Sequence, residues 1–202
     1  MKKLSILLST VMCAALLAVG ANAANTTSYT VVRGDCMWKI AVKYQVGTSE
    51  IISANPQIQN PNLIYPNQVL SIPTLSNAVT EYEAEVVRLV NIERAKNDLK
   101  PLTMNWELSR VARYKSQDMH DKGYFSHTSP TYGSPFDMMR NFGISYRSAG
   151  ENIAMGYRTP QAVVAGWMNS PGHRANILKS SFTQIGVGYV ASGDYWTQMF
   201  IG

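Results

Sequence analysis

The sequence predicts an α+β chain in two unequal parts, and three observations carry that reading. Within residues 29–73 a β-branched run, two short helical periods and a second β-branched run follow one another, the pattern of a small βααβ unit. From residue 80 onward, longer helical periods with caps and stops dominate. Near the end, two alternating runs flank Ser192-Gly193-Asp194, the pattern of a hairpin.

The elements of the small unit follow in order. Tyr29-Thr30-Val31-Val32 reads as a strand that stops at the Arg33-Gly34-Asp35 turn. Asp35 is placed to cap a helix in which Trp38, Ile40, Ala41 and Tyr44 recur at helical spacing, so Trp38, Ile40 and, later, Leu70 are expected in the core. Val46-Gly47-Thr48-Ser49 breaks the chain, and Glu50 to Asn55 forms a second helix stopped by Pro56. Val69-Leu70-Ser71-Ile72 is the second strand, ended by Pro73. Residues 74–79 are a short polar linker, which keeps the two parts within tens of ångströms of each other.

In the larger part, residues 80–202, Thr80 and Glu83 have the spacing of a capping box, ahead of a helix with Val86, Leu89 and Val90 on one face. Trp106 to Lys122 forms a second helix with Leu108, Val111, Ala112, Lys115 and Met119 along a stripe, ended by Gly123. Pro135 to Phe142 is a third helix, and Thr159-Pro160 opens a fourth over Gln161 to Asn169. Ile185 to Val190 and Tyr195 to Ile201 are the hairpin strands, which suggests an antiparallel sheet covered by helices. Trp106, Trp167 and Trp196 are expected in the core.

The chain opens with a targeting pattern: Lys2 and Lys3, an apolar run from Leu4 to Gly20, and Ala21-Asn22-Ala23 as a cleavage site. Cleavage after Ala23 and export without stable membrane insertion are expected. Loss of Lys2 and Lys3 with no acidic residue lowers the formal charge from +5 to +3. That charge suits an anionic wall polymer and does not point to nucleic acid, and no Lys/Arg run does either. Of two cysteines, Cys13 leaves with the signal, so Cys36 has no partner within the exported chain and is expected as a small buried or half-buried side chain.

Chemistry-bearing residues concentrate between Tyr124 and Asn176. His127, Glu151 and His173 each stand beside Gly, Pro or Ser, where turns bring side chains from distant segments to one cleft. Two neutral imidazoles and a carboxylate can hold Zn²⁺ or another divalent cation with an open fourth place, or form a hydrogen-bonded polar cluster. Both readings stay open. For hydrolysis, Glu151 and His173 are the candidate catalytic groups, and Ser126, Ser129 and Ser170 stand near a histidine. The sequence has no Gly-x-Ser-x-Gly elbow and no His-Glu-x-x-His pair. His120, beside Asp121, reads as a solvated or capping residue, and Arg174 and Asn176 as residues securing the turn after Gly172.

Two resemblances add to this. Residues 29–73 resemble a LysM module, on Tyr29-Thr30-Val31-Val32-Arg33-Gly34-Asp35, Trp38-Lys39-Ile40-Ala41-Val42-Lys43-Tyr44 and the run from Asn55 to Pro73. The resemblance implies binding of N-acetylglucosamine-containing glycan, peptidoglycan or chitin, between Gly34, Asp35, Cys36 and Met37 on one loop and Asn62, Leu63, Ile64 and Tyr65 on the other. Cys36-Met37 stands where that family usually has Thr-Leu.

Residues 80–202 resemble the bacterial branch of the CAP superfamily, the SCP-like extracellular domain. The resemblance rests on Tyr124-Phe125-Ser126-His127, Ala149-Gly150-Glu151-Asn152-Ile153-Ala154, the run from Trp167 to Leu178, and Ile185-Gly186-Val187-Gly188-Tyr189. It implies a three-layer α-β-α sandwich and a cleft of two histidines and two acids, three of which are His127, Glu151 and His173; Ser170 occupies the second acidic position. Together the two resemblances imply an exported wall protein, with the spore surface as one location and wall proteins as possible partners. One function that follows is a glycan-anchored protein whose cleft takes a ligand, ion or protein partner. The other is a metal-dependent, peptidoglycan-acting hydrolase.

Overall fold

The computed structural model describes residues 25–202, and the targeting segment lies outside the described residues. The N-terminal unit pairs β1 (Thr26–Thr30) antiparallel to β2 (Val69–Pro73), with α1 (Met37–Tyr44) and α2 (Thr48–Ser53) packed on the ribbon. Strand β1 starts and ends earlier than its β-branched residues suggest; Val31, just past its end, still bonds Asn67 and Gln68 through its backbone while its side chain joins Ile40, Ile51, Leu70 and Ile72 in the core. Asn55 joins α2 to β2. Its amide donates to the carbonyls of Ile51 and Ser71, each at 2.7 Å, and its oxygen accepts from Ser71 N at 2.8 Å.

Three expectations change in this unit. The first concerns Asp35, which does not cap α1. Its carboxylate accepts from Tyr29 OH at 2.7 Å and Val32 N at 2.9 Å, and these bonds, Val32 N first, hold its carboxyl below the ordinary carboxylate range. The others concern burial: Trp38 is exposed rather than core, and Cys36, the N-cap residue of α1, is exposed as well.

The larger part begins at α3 (Asn77–Ala95), so the connection is shorter than expected. Ser76 is the cap, its Oγ accepting from Val79 N, and the Thr80–Glu83 box does not form. Glu83 is instead fully buried, where Arg113 donates to both of its oxygens and Tyr189 N donates to one at 3.2 Å. After β3 (Thr103–Met104) come α4 (Trp106–Lys122), α5 (Pro135–Asn141), β4 (Ala149–Met155), α6 (Pro160–Met168), α7 (Pro171–Ile177), β5 (Gln184–Val190) and β6 (Tyr195–Ile201). Strand β4 and helix α7 have no counterpart in the sequence reading.

The sheet runs β3-β5-β6-β4. It is mixed rather than purely antiparallel, because the two residues of β3 join β5 in parallel. On one face, Ile185, Val187, Trp196 and Phe200 pack with Val86, Val90, Val163 and Trp167 from α3 and α6. On the other, Met199 and Ile201 pack with Leu108, Val111 and Met139 from α4 and α5. Helices on both faces make the α-β-α layering expected, and Trp167 and Trp196 are core. Arg94, also buried, closes the end of α3 by donating to the carbonyls of Lys100, Ile177, Lys179 and Phe182.

Helix α4 lies unusually close to β5. A Cβ on Gly186 would collide with the Leu108 and Ser109 backbone, and one on Gly188 with that of Ala112 and Arg113. Within this tight seam Ser109 Oγ accepts from Val187 N, and Ser116 Oγ reaches Gly188 O and Thr197 Oγ1. The same helix also holds the N-terminal unit. Arg110 Nε donates to Glu50 Oε1 at 2.7 Å, Tyr114 OH donates to the same oxygen at 2.7 Å, and Arg110 Nη2 reaches Ser49 Oγ. Burial and then the neighbouring carboxylate push the Tyr114 phenol up to about 12.

Because the seam has no room for a methyl group, Gly188→Ala should destabilise the chain by about 3 kcal/mol in urea unfolding, the upper end of overpacking costs. Wild-type stability would contradict the close seat.

Candidate functional site

Two regions carry the predicted site residues. In the N-terminal unit the loop before β2 exposes Asn62, Leu63 and Tyr65, whereas Ile64 is half-buried against the core. Gln57, Asn60, Leu63, Tyr65 and Gln68 line an open cleft of about 380 Å³. The facing loop exposes Gly34, at φ +93°, and Cys36, but Met37 is buried in the core. Met37 is therefore corrected from a contact residue to a packing residue. Asp35 offers less than expected because its carboxylate already serves Tyr29 and Val32.

The second region lies at the β4 edge of the sheet. Alternation along β4 sends Glu151 toward the α4 face and Asn152 toward the opposite one. Glu151 is buried, its side chain only 1% exposed, while the His127 side chain is 54% exposed. His127 Nδ1 donates to Glu151 Oε1 at 2.8 Å, which leaves Nε2 as the free ring nitrogen. Among the described residues Glu151 Oε2, itself buried, has no partner. His173 sits half-buried in the first turn of α7. Its carbonyl accepts from Asn152 Nδ2, and Asn176 Nδ2 donates to Glu151 O and Asn152 Oδ1. Asn176 thus fastens α7 to β4, a larger role than securing a turn. Burial, and then the nearby His127, push the His173 pKa down, so the ring favours its neutral form.

Beneath this pair lies a buried polar layer that the sequence reading did not identify. Lys115, fully buried on α4, donates to His127 O at 2.6 Å and lies 3.4 Å from Tyr124 OH. Its burial lowers its pKa, and Glu151 and Asp118 oppose that shift. Asp118 accepts from Tyr124, Ser129 and Thr131 hydroxyls, each at 2.6 Å. Burial alone would raise the Asp118 pKa, but these three bonds and Lys115 hold it below the ordinary range. The only hint of this layer in the sequence was a lysine on the apolar stripe of α4.

The expected donor set does not fit a metal ion as arranged. Among the described residues no group of three or more His, Cys, Asp or Glu side chains is gathered to hold one. Ser170 is the N-cap residue of α7 with no side-chain capping bond. The proposed serine nucleophiles fare no better. Ser129 Oγ donates to Asp118 and accepts from Thr131 N and Tyr132 N, and Ser126 Oγ accepts from Thr128 N. His120 bonds Asp121 and Ser192 at the exposed end of α4, away from the cluster. What the cluster presents to solvent is the exposed His127 ring, oriented by buried Glu151, with half-buried His173 near it.

The comparisons with known proteins agree with this layout. The LysM domain model matches residues 29–73, and the cysteine-rich secretory protein (CAP) family model matches residues 87–200. The chain is 62% identical over 136 residues to YkwD, an uncharacterized protein of Bacillus subtilis, which covers 67% of this chain and 52% of that protein. It therefore spans about half the length of that relative. It is also 41% identical over 46 residues to the spore coat assembly protein ExsA of Bacillus cereus, covering 23% of this chain and 7% of that one. Among solved structures, an extracellular protein containing an SCP domain from Bacillus anthracis superposes with a TM-score of 0.59 at 35% identity, over 67% of this chain and 47% of that one.

The depressed His173 pKa has a definite sign. As pH falls, the unfolded chain takes up the proton first, so stability is full above about 6.5 and declines toward the lower folded midpoint. An NMR titration should place His173 below 6.5, and His127→Ala should raise it, because His127 is the second cause of the shift. A midpoint at or above 6.5 would contradict the burial described here.

Proposed function

Because the chain belongs to the cysteine-rich secretory protein (CAP) family and carries a LysM domain ahead of the family domain, we propose that it is an exported wall protein. In this reading it holds N-acetylglucosamine-containing glycan through the LysM domain and presents the CAP cleft to a polar ligand or protein partner. The observation that carries the reading is the pair Leu63 and Tyr65, 51% and 59% exposed on the loop before β2, with Asn62 beside them. Apolar faces flanked by amide groups suit a sugar, whose ring offers one C–H face and a rim of hydroxyl and acetamide groups. A single small module holds few ligand groups, so the affinity is expected to be modest.

For the CAP cleft, recognition is favoured over hydrolysis. His127 and Glu151 answer each other, Lys115 is spent on a carbonyl, and Asp118 is spent on three hydroxyls. No serine beside them is free and paired with a histidine base. The exposed His127 ring, its Nδ1 fixed on buried Glu151 and its Nε2 left open, instead supports contact with a polar ligand. No helix of the described residues is long and apolar enough to cross a membrane. The likeness of a short segment to a spore coat assembly protein supports the spore surface as one place where this wall protein works.

The mature chain should sediment with insoluble chitin and peptidoglycan, and the Leu63→Ala/Tyr65→Ala double variant should lose about tenfold in affinity, roughly 1.4 kcal/mol. A wild-type chain that stays in the supernatant would rule the glycan role out.

A further inference from the structure

Trp38 stands where a core residue was expected, yet 65% of it is exposed. Leaving an indole in water forgoes a large part of the stabilisation that its burial would bring. Directly before α1 runs the loop from Gly34 to Cys36, one of the two loops that the LysM resemblance places at the glycan. Directly across the domain boundary is Trp106, the first residue of α4, itself half-buried. Trp38, Val42 and Thr48 from the LysM domain and Trp106, Glu107 and Arg110 from the CAP domain line a shared cleft of about 130 Å³.

The two walls are tied together. Arg110 holds Glu50 at 2.7 Å and Ser49 at 3.2 Å, and its guanidinium lies 5.2 Å from the ring centroid of Phe142 and 5.3 Å from that of Tyr114. A Cβ on Gly47 would meet the ends of the Glu50 and Arg110 side chains, so a larger residue there would have to displace that ion pair. These side-chain bonds join the two walls of the cleft, which lowers the ordering cost of a ligand that touches both.

Its chemistry is specific. Two flat indoles sit beside a hydroxyl donor and acceptor (Thr48), a carboxylate acceptor (Glu107) and a guanidinium donor (Arg110). A pyranose ring presents one apolar C–H face and a rim of groups that both donate and accept, and it matches this set. An apolar peptide would leave Glu107 unanswered, and an anion would be repelled by it.

We propose that Trp38 and Trp106 form a second sugar subsite at the domain boundary, so that one glycan strand leaving the LysM groove is held by both domains. This rests on the reading of the LysM domain as a glycan binder. Titration calorimetry of the chain from residue 24 to 202 with a chitin hexasaccharide tests it. Trp38→Ala and Trp106→Ala should each weaken binding by roughly fivefold or more, and Trp106→Phe should restore most of it. Trp38→Ala removes an exposed side chain, so the result does not depend on Trp106→Ala folding normally. Wild-type affinity in both alanine variants, with Leu63→Ala/Tyr65→Ala still weakened, would overturn the boundary subsite alone. No heat with the wild-type chain would overturn the glycan reading beneath it, and the subsite with it.

Discussion

Helix α4 can reach its neighbours only because β5 offers it two glycines. Gly186 and Gly188 let the helix backbone settle into the sheet where any Cβ would collide with it, and that close seat fixes the height and rotation of everything α4 carries. On the buried side it brings Lys115 under His127 and Asp118 under the Tyr124–Thr131 loop. Another side presents Arg113 to Glu83 of α3. Its N-terminal half sends Arg110 and Tyr114 to Glu50 of the LysM domain. One helix therefore sets the CAP cluster, the joint to α3 and the boundary between domains.

The energetics of that cluster separate recognition from chemistry. Buried charges persist only when something answers them, and here Asp118 has three hydroxyls, Lys115 has a carbonyl, and Glu151 has one oxygen on His127. A hydrolytic site needs a base and a nucleophile or activated water left free and aligned. Among the described residues Glu151 Oε2 and Gln198 Nε2 are buried here without a partner, and the exposed His127 ring is the group that a ligand can reach. That fits a cleft that recognises a polar group. The Arg110–Glu50 pair is largely buried, 20% and 23% exposed, and Tyr114 OH adds a second bond to the same Glu50 oxygen across the domain boundary.

Much of this was legible in the sequence, for local reasons. Hydrophobic period and caps located α1, α4, α5 and α6 within a residue or two, and alternation located the β5–β6 hairpin. Strand β4 was missed because Ala149-Gly150-Glu151-Asn152 has almost no β-branched character; its pairing with β6 comes from tertiary contacts. Helix α7 was hidden by Ser170-Pro171-Gly172, which reads as a turn and serves as a helix start. Glu83 had the spacing of a cap but pairs with Arg113, thirty residues on. Trp38 had the spacing of a core residue but lies on the exposed side of α1, facing a cleft shared with the neighbouring domain. His127, Glu151 and His173 were legible as a set. The buried layer of Lys115 and Asp118 beneath them was not, because helical spacing alone cannot tell a buried lysine from one that reaches water.

The proposed role of the paired cluster makes one measurement decisive. Purified chain 24–202 should be incubated with peptidoglycan, and the release of soluble reducing ends and free amines followed alongside a His173→Ala control. A binding cleft predicts no release above buffer from either protein while both stay on the glycan. Release by the wild-type chain that disappears in His173→Ala would contradict the account and make the cleft an active site.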